Sequence, residues 1–582
     1  MKTLRSTLWA LAAWWLWMPA VILAYWLILV GLMPGMGTWH RALAMWLDRW
    51  FWSGSPWGWA WVTIGAIGSI VIVTGFWSES YERNRGQSAG MTALAVAAVA
   101  VLGLGFVQTW RGIWDDDKDL ARFYATSTRF LVPNPADPPS SIQKLFDRNP
   151  AGDGHRCLLR GPRGDDVPAC VAKGTLPAAG FEPRAASRDG AKFTMQRTSG
   201  NKAGVNLNLD TLTYLAPRGD EQPRWSAIRD GSGLSQPMDG VVEWTGGSAN
   251  PTECLFRGDH RIDRAIAGAK RNSLPNLLND RYPDLEFLNA DDWGFCDRGR
   301  PVIVFPVRRQ VHTHQRTAMT AAGVVLMTGT RSGRPHLVYR AHVRPGELPG
   351  PSYPNSLVKQ QRAATEWAAG RRVKDNMKFG YQLTSSKVQE GNNGSYLLRS
   401  ATDHRLYWVS PLRPRSSDSE LFVSYAVVRA DQADAGHLNE QDVYVLADND
   451  ERVVNLDQLA ASAKDFVSQV QPGFISAGGK LVEFLPTTSD IWQAYGELNG
   501  RVVYRLRISA TNRIQPELVS LGPGGGPGAP PVEGGTPPVT TTGGGQGCDA
   551  PAATMPQTEL VACLQRLADE LARRSGAPPQ QR

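Results

Sequence analysis

The sequence predicts a membrane-anchored α+β protein with three N-terminal transmembrane helices. An extracytoplasmic region of repeated helix-plus-antiparallel-sheet units should follow, and then a Gly/Pro-rich linker and a short C-terminal helix. Three observations predict this organisation. Three long uncharged stretches fill most of the first 110 residues, all six cysteines follow the third stretch, and a helical pattern followed by strand patterns occurs three times after residue 259.

The membrane anchor is predicted over residues 1–114. Its uncharged stretches span 6–39, 57–77 and 91–110, and each reaches the length of about 20 residues that a helix needs to cross a bilayer. A cleaved signal peptide is the alternative for the first stretch, because Lys2 and Arg5 precede it. Its apolar centre is longer than that of a signal peptide, and no clear small-x-small cleavage site follows it.

Tryptophan is concentrated in this anchor, where 15 of the 21 residues of this type lie at or before Trp114. Indole side chains favour the headgroup boundary of a bilayer, so the lipid bilayer is the first predicted partner. The connection near 39–52 predicts a short interfacial helix, with an ordinary loop as the alternative. Its apolar residues recur at helical spacing: Trp39, Leu43, Trp46, Leu47 and Trp50.

The six cysteines decide the predicted orientation, because basic residues are nearly balanced across the membrane. An even number of cysteines on one side of the anchor fits three disulfides in an oxidising compartment. The N-terminus is therefore predicted to be cytoplasmic, and the region after residue 111 is predicted to lie outside the plasma membrane. A cytoplasmic tail with reduced thiols is the alternative. The cysteines form three sequential candidate pairs: Cys157 and Cys170, Cys254 and Cys296, and Cys548 and Cys563.

The charge balance gives no sign of a nucleic-acid partner. The net charge is +8, and the chain after Trp114 holds 55 basic and 51 acidic residues. A nucleic-acid-binding protein usually concentrates basic residues in one stripe, whereas this chain shows only short basic runs. Its abundance of Ala, Arg, Gly, Pro and Val is typical of a high-GC bacterial or phage genome.

The outer region divides into an irregular, β-leaning part at 115–258 and three α+β units at 259–350, 351–450 and 451–515. In the irregular part, strands are predicted at 192–197, 204–214 and 240–244. Helices are predicted at 259–272, 355–370 and 456–470, with Pro275 ending the first one. Strands are predicted after each helix: at 285–288, 302–308, 323–328 and 335–343, then at 378–384, 395–399, 406–412 and 421–429, and finally at 480–484, 492–498 and 501–508.

This order of elements over 259–510 is similar in outline to that of cystatin-like or PepSY-like modules. The resemblance implies a single helix packed across a curled antiparallel sheet in each unit. It depends on element order alone, without a specific motif, and an unrelated α+β domain with the same spacing is the alternative.

The chain ends with a predicted disordered linker at 516–547 and a helix within 548–582 that a Cys548–Cys563 disulfide would constrain. Thr554 and Gln557 have the spacing of a capping box. The helix has a narrow apolar face that suits self-association or docking into the groove of a protein partner. It could instead fold back on the outer domain of its own chain. The face consists of Leu560, Leu564, Leu567 and Leu571.

The sequence contains no Gly-x-Ser-x-Gly, His-Glu-x-x-His or Walker phosphate-loop motif. Asp291 and Asp292 could form a calcium site or an acid/base pair, and His312 and His314 could share a metal, but a loop start and an exposed strand end explain these residues as well. No catalytic residue, metal ligand or cofactor is therefore predicted. The leading hypothesis is an extracytoplasmic binding or scaffold protein of a bacterial or phage-modified cell envelope. The alternative is an envelope hydrolase with its site between the α+β units.

Overall fold

The computed structural model describes residues within 121–520. The predicted transmembrane helices, the interfacial helix, nearly all of the linker and the C-terminal helix therefore lie outside the described residues. None of the helices in the described part has both the length and the apolar character needed to cross a bilayer. The positions omitted within 121–520 are 122, 144–154, 158–169, 177–179, 185, 200–204, 220, 233–234, 247–249, 269, 313–316, 370, 385–393, 417–420, 488–490, 499–500 and 510–516.

The described region is an α+β fold in which most strands pair in antiparallel fashion. The fold class predicted for the outer region is therefore confirmed at this level. In chain order the elements are β1 (Thr128–Val132), β2 (His155–Cys157), β3 (Cys170–Lys173), α1 (Arg188–Ser199), β4 (Val205–Leu215), β5 (Arg224–Gly231), β6 (Gly240–Trp244), β7 (Thr252–Leu255), α2 (Leu274–Arg281), β8 (Leu285–Phe287), β9 (Trp293–Asp297), β10 (Arg300–His312), β11 (Thr317–Thr328), β12 (His336–Arg340), β13 (His342–Val343), α3 (Asn355–Ala364), α4 (Arg371–Met377), β14 (Tyr381–Leu383), β15 (Tyr396–Arg399), β16 (Leu406–Pro414), β17 (Ser424–Arg429), β18 (Ala433–Asp434), β19 (Gln441–Val445), α5 (Leu456–Val470), α6 (Pro472–Ser476), β20 (Lys480–Pro486), β21 (Ile491–Leu498), β22 (Arg501–Ser509) and β23 (Glu517–Ser520).

Helices followed by antiparallel strands recur three times after residue 259. The helix α2 precedes a five-stranded sheet with the order β12-β11-β10-β8 and with β9 paired to β10. The helices α3 and α4 precede β14–β19, and α5 and α6 precede a four-stranded sheet with the order β20-β21-β22-β23. The last strand, β23, lies within the first residues of the predicted linker and extends the third unit.

The middle sheet is larger than a local repeat, because strands from the N-terminal part of the described chain complete it. Its order is β14-β16-β17-β19-β1-β3-β2, with β15 paired to β16. The strand β1 pairs in parallel with β19 on one side and with β3 on the other. Alternate residues of a strand face the same side, so this arrangement joins side chains far apart in sequence on one surface.

The helix α5 shows how a local pattern determines an element. Asn455 caps its N-terminus by accepting hydrogen bonds from the amides of Asp457 and Gln458. Its buried residues recur at a spacing of three and four and pack against Trp492 and other residues of the third sheet. The buried residues are Leu456, Leu459, Ala463 and Val467.

Two predicted elements are wrong. The segment 259–272 is not an α-helix: it contains short 3-10 turns at Gly258–His260 and Lys270–Asn272. The carboxylate of Asp230 accepts hydrogen bonds from the adjacent amides of Ile266 and Ala267, which holds this part of the segment in a turn. The helix α2 begins only at Leu274, where Ser273 caps it and Pro275 occupies the first turn rather than ending a helix.

The segment 192–197, predicted as a strand, lies within the helix α1. Ser187 caps this helix, because its Oγ accepts a hydrogen bond from the amide of Gly190 at 3.0 Å. Ala191 and Met195 are one helical turn apart and fully buried against the sheet formed by β4–β7. Tertiary packing of this face outweighs the β propensity of Phe193 and Thr194.

A disulfide joins Cys254 on β7 to Cys296 on β9, with a Cα–Cα distance of 5.9 Å. This is the pairing predicted from the sequence, and it connects the four-stranded sheet β4-β5-β6-β7 to the five-stranded sheet. The two residues are 42 positions apart, and closing such a loop contributes about 3–4 kcal/mol in the chain-entropy account. The backbone register also places Cys157 opposite Cys170 on β2 and β3. Cys548 and Cys563 lie outside the described residues.

Candidate functional site

A cavity, here called the Tyr407 cleft, opens on one face of the middle sheet and has a volume of about 400 Å³. The strands β16, β17 and β19 form its floor, and its walls come from the turn at 400–403 and from Leu176, Gly180 and Phe181. The register places Tyr407 opposite Arg429 and Val427 opposite Asp442, so these side chains share one face. The complete lining is Leu176, Gly180, Phe181, Ser400, Thr402, Asp403, Tyr407, Val427, Arg429, Gln432, Glu440, Asp442 and Tyr444.

Three polar side chains in the cleft form a closed hydrogen-bonded cluster. Tyr407 Oη and Arg429 Nη2 each donate to Asp403 Oδ2 at 2.7 Å. Arg429 Nη2 also donates to Tyr407 Oη at 2.9 Å, and its guanidinium lies 5.4 Å from the centre of the tyrosine ring. Each group therefore restrains the other two in a single geometry.

The cluster holds fixed charges near neutral pH. Burial opposes ionisation of Asp403, but hydrogen bonds from Tyr407 and Ser400 together with the charge of Arg429 hold its pKa below the ordinary value. Burial and the hydrogen bond to Asp403 raise the pKa of Tyr407 to about 12. The carboxylate therefore stays ionised and the phenol stays protonated over the physiological range, which suits recognition better than proton transfer.

A second ion pair involves Asp442, which lines the cleft. Arg129 on β1 donates to both carboxylate oxygens of Asp442 on β19, at 2.8 and 3.0 Å. Glu440 lies 3.3 Å from the same guanidinium. The pair is bidentate, the strongest geometry between these groups, and it depends on the parallel pairing of β1 with β19.

The wall of the cleft is tied to the sheet by Glu182. Its carboxylate accepts a hydrogen bond from Arg399 Nη1 at 2.7 Å and lies 2.7 Å from His404 Nδ1. The backbone of Phe181 forms a bridge with Ser400, and the amide of Glu182 donates to the carbonyl of Arg399. These contacts fix the segment beside the turn that presents Asp403.

A smaller cavity of about 180 Å³, here called the Trp408 cavity, lies where several elements meet. The helix α3, the strands β4, β10, β15 and β16, and the loop before β9 contribute to its lining. Four of the aromatic rings that form its walls are Tyr214, Trp225, Tyr353 and Trp408. Its polar and charged lining includes Arg184, Arg188, Asp210, Asp291, Asn355, Lys359 and Ser395.

Asp291 is brought into this cavity, and Asp292 is fully buried beside it. Asp291 accepts hydrogen bonds from Ser356 N at 3.2 Å and from Ser356 Oγ at 2.5 Å. Burial raises the pKa of Asp291 despite these bonds, and burial together with the neighbouring carboxylate of Asp291 raises the pKa of Asp292 well above its ordinary value. A carboxyl group with a raised pKa in a cavity is a candidate proton donor.

The other residues considered from sequence are not brought into a site. His312 ends β10 opposite Thr317, and His314 lies outside the described residues. Across the described residues, no group of three His, Cys, Asp or Glu side chains could hold a metal ion. The four C-terminal leucines, Leu560, Leu564, Leu567 and Leu571, lie outside the described part of the chain.

The residues of the Tyr407 cleft were not predicted from sequence. Arg129 and Asp442 are 313 positions apart, and neither lies in a motif of recognisable spacing. The local signal was the alternation of β19, in which the half-buried Asp442 and Tyr444 alternate with buried residues. Comparison of the chain with protein-family models, with curated proteins and with solved structures finds no match.

Proposed function

We propose that this chain is a membrane-anchored, extracytoplasmic binding or scaffold protein of a bacterial or phage-modified cell envelope. In this proposal the Tyr407 cleft and the C-terminal helix engage protein partners. The observation that supports it is the cleft itself, in which donors, acceptors and aromatic rings are fixed on a rigid sheet. The side chains of Asp403, Tyr407 and Arg429 restrain one another, so little side-chain entropy is lost when a partner binds.

The chemistry of the cleft favours an extended polypeptide segment. Its walls offer hydroxyl groups at Ser400 and Thr402 and an amide at Gln432, which can pair with backbone donors and acceptors. Its floor offers the rings of Tyr407 and Tyr444, and tyrosine and arginine are enriched among residues that dominate protein interfaces. Charges of both signs suit a neutral peptide backbone better than a uniformly charged polymer.

Partner recovery should depend on both proposed binding elements. We expect Arg429→Ala to weaken the affinity for a partner about tenfold or more, because it removes a guanidinium that organises both Asp403 and Tyr407. Deleting residues 522–582 should weaken recovery separately, because it removes the predicted docking helix. The measurement is affinity capture from solubilised envelopes with the full chain, followed by titration of the purified partner.

Arg331→Ala is the matched control, because Arg331 is 86% exposed and its pair with Asp259 lies at the surface. If the Arg429→Ala variant captures as much partner as the unaltered chain, the cleft is not a binding site for that partner. Equal recovery in the truncated chain would remove the C-terminal helix.

The proposed membrane topology can be tested by chemical labelling of the cysteines. We expect a membrane-impermeant thiol reagent to leave intact cells unlabelled at Cys254 and Cys296 until a reductant is added, and to label both residues afterwards. Oxidised pairs persist only in an oxidising compartment, so this order of events requires an outer location. Labelling of Cys254 or Cys296 without reductant would contradict the disulfide. If both cysteines stay unlabelled on intact cells even after reduction and denaturation of the exposed protein, the predicted outer location is wrong.

An envelope hydrolase is the second candidate, and the raised pKa of Asp291 in the Trp408 cavity is the observation that favours it. Such a carboxyl group can act as a general acid when a substrate bond lies within hydrogen-bonding reach. Release of soluble fragments from purified cell wall by the full chain, and its loss in Asp291→Asn, would support this candidate over a pure binding role.

A further inference from the structure

The Tyr407 cleft holds one carboxylate more than the arginines paired with its lining. Three carboxylates line it, those of Asp403, Glu440 and Asp442, whereas Arg429 is the only basic residue among the described lining residues. Arg429 is paired with Asp403 at 2.7 Å, and Asp442 accepts two hydrogen bonds from Arg129 on β1. Each of these two arginines thus has a carboxylate partner, and the carboxylate of Glu440 is the one in excess.

Glu440 has one carboxylate oxygen that is open to a ligand. Its Oε1 lies 3.3 Å from Nη1 of Arg129, and its side chain is 58% exposed. Its Oε2 has no hydrogen bond or ion pair with any described residue. Because Asp442 already accepts from the same guanidinium with both oxygens, Glu440 shares a cation whose charge is largely balanced. A second cation at Oε2 would complete the pairing of this carboxylate.

The surroundings of Glu440 suit a cation that is carried on an aliphatic chain. Glu440 immediately precedes β19, and Asp442 and Tyr444 follow at alternate positions, so all three residues line the cleft from one face. An ammonium or guanidinium group is attracted to the face of a tyrosine ring, and the aliphatic stem that carries it packs on apolar surface. The apolar residues of the lining are Leu176, Phe181 and Val427.

We propose that the Tyr407 cleft binds a basic side chain of the partner segment, a lysine or an arginine, with its cation at Glu440 and its aliphatic stem along the ring of Tyr444. This inference rests on the proposed binding function of the cleft and names the feature of the partner that the cleft recognises. One basic residue in an otherwise neutral segment is sufficient, because one carboxylate is in excess.

The test is calorimetric titration of the detergent-solubilised full chain with three peptides, each acetylated and amidated at its ends. Every peptide has four glycines around a central residue, which is lysine, norleucine or glutamate. We expect the lysine peptide to bind about fivefold more tightly than the norleucine peptide, the upper range for a partly exposed ion pair. The glutamate peptide should bind more weakly than both, and added salt should reduce the preference for lysine.

Glu440→Gln should remove the preference for lysine over norleucine, because it keeps the shape of the side chain and removes its charge. Asp259→Asn is the matched control, because it removes a carboxylate whose side chain is 70% exposed and which pairs with Arg331; it should leave the preference unchanged. Both variants should keep the near-ultraviolet circular dichroism spectrum of the unaltered chain. The inference is overturned if the unaltered chain binds the lysine and norleucine peptides equally, or if the preference persists in Glu440→Gln.

A displacement experiment separates this inference from the proposed function. The lysine peptide should release a partner captured by the unaltered chain at a lower concentration than the norleucine peptide does. If capture depends on Arg429 but the two peptides release the partner equally, the cleft binds that partner without a basic side chain, and only the present inference is wrong. If no partner is captured, the proposed function is wrong, and the titration with the three peptides still decides whether the cleft binds a lysine side chain.

Discussion

Glu483→Gln is expected to lower the free energy of unfolding by about 3–5 kcal/mol, the largest effect of any single substitution proposed for this protein. Glu483 is fully buried, and its Oε2 lies 3.2 Å from Nη2 of Arg184, which is 1% exposed. Removing the negative charge leaves Arg184 buried without a counter-ion. The guanidinium cannot escape easily, because it lies 5.0 Å from the ring of Trp225 within a wall of aromatic side chains.

The position of Glu483 adds to this effect. Its Oε1 accepts a hydrogen bond from the amide of Arg188 at 2.6 Å, so the same carboxylate fixes the start of the helix α1. The residue has a φ of 53°, where β20 departs from regular pairing with β21 between Val482 and Leu485. One side chain thus ties the segment before α1 to the sheet of the third unit.

The measurement is urea unfolding of the full chain followed by tryptophan fluorescence. Asp259→Asn is the matched control, because it breaks the Arg331 ion pair, whose side chains are 86% and 70% exposed and which should contribute little. Joint replacement Arg184→Met and Glu483→Leu should recover part of the loss, since no unpaired charge remains. A loss for Glu483→Gln no larger than that for Asp259→Asn would show that the buried pair does not stabilise the fold.

Glu497 should make the stability of the protein decrease between about pH 4.5 and pH 7. Burial raises the pKa of this carboxyl from 4.5 to about 7, and the negative charges of Glu483 and Asp189 act in the same direction. The Ser187 hydroxyl and the amide of Gly190 oppose the shift by donating hydrogen bonds. The folded state therefore holds a proton that the unfolded state releases over this range.

The sign follows from proton linkage. Below pH 4.5 the carboxyl is protonated in both states, so burial carries no charge penalty. Above pH 7 it is ionised in both, and the folded state is less stable by about 3 kcal/mol. Replacement by Gln keeps the shape of the neutral acid, so Glu497→Gln should be more stable than the unaltered chain at pH 8 and similar to it at pH 4.5.

The stability of the unaltered protein must be compared with that of Glu497→Gln at each pH, because burial also raises the pKa of Asp230 and Glu243. Urea unfolding at several pH values between 4.5 and 8 isolates the contribution of Glu497 as the difference between the curves. Ser187→Ala should move that difference to higher pH, because it removes a hydrogen bond that favours the ionised form. Parallel curves for Glu497→Gln and the unaltered chain would contradict a raised pKa at this residue.

The elements with strong local patterns could be predicted from sequence. The helix α5 was predicted with its observed bounds, because its apolar residues recur at helical spacing. The strands β20, β21 and β22 follow from short apolar runs, and in β22 apolar and charged residues alternate over Tyr504–Ile508. In these segments local preference and tertiary packing agree, so the pattern is sufficient.

Tertiary contacts decided the elements that were mispredicted. Ile262, Ala265 and Ile266 have helical spacing, yet the carboxylate of Asp230 binds the backbone of the segment and the amide of Arg261 pairs with Thr330. In α1, by contrast, the local sequence shows little helical preference, and burial of Ala191 and Met195 determines the helix. The sequence of each segment alone does not identify what it packs against: Asp230 for the first segment and the sheet β4–β7 for α1.

The candidate site was the least predictable part, because its residues come from four separated strands and a turn. Asp403 and Tyr407 are four positions apart in sequence, but Arg429 and Asp442 join them only through strand pairing. Asp291 is the exception: the notable pair of acidic residues before Trp293 does lie at a cavity. The sequence indicated Asp291 because it is one of two adjacent acidic residues. The other residues that line the cavity could be identified only from the folded structure.

The insertion of β1 between β19 and β3 also constrains the order in which the protein assembles. Thr128 is paired with Gln441, so the first described strand cannot find one of its two neighbours until more than 300 further residues have been synthesised. Until β19 is available, the edge of β1 that pairs with it stays unpaired, and unpaired strand edges favour mispairing between chains. Assembly of the middle sheet therefore cannot be completed until the chain has been synthesised as far as β19.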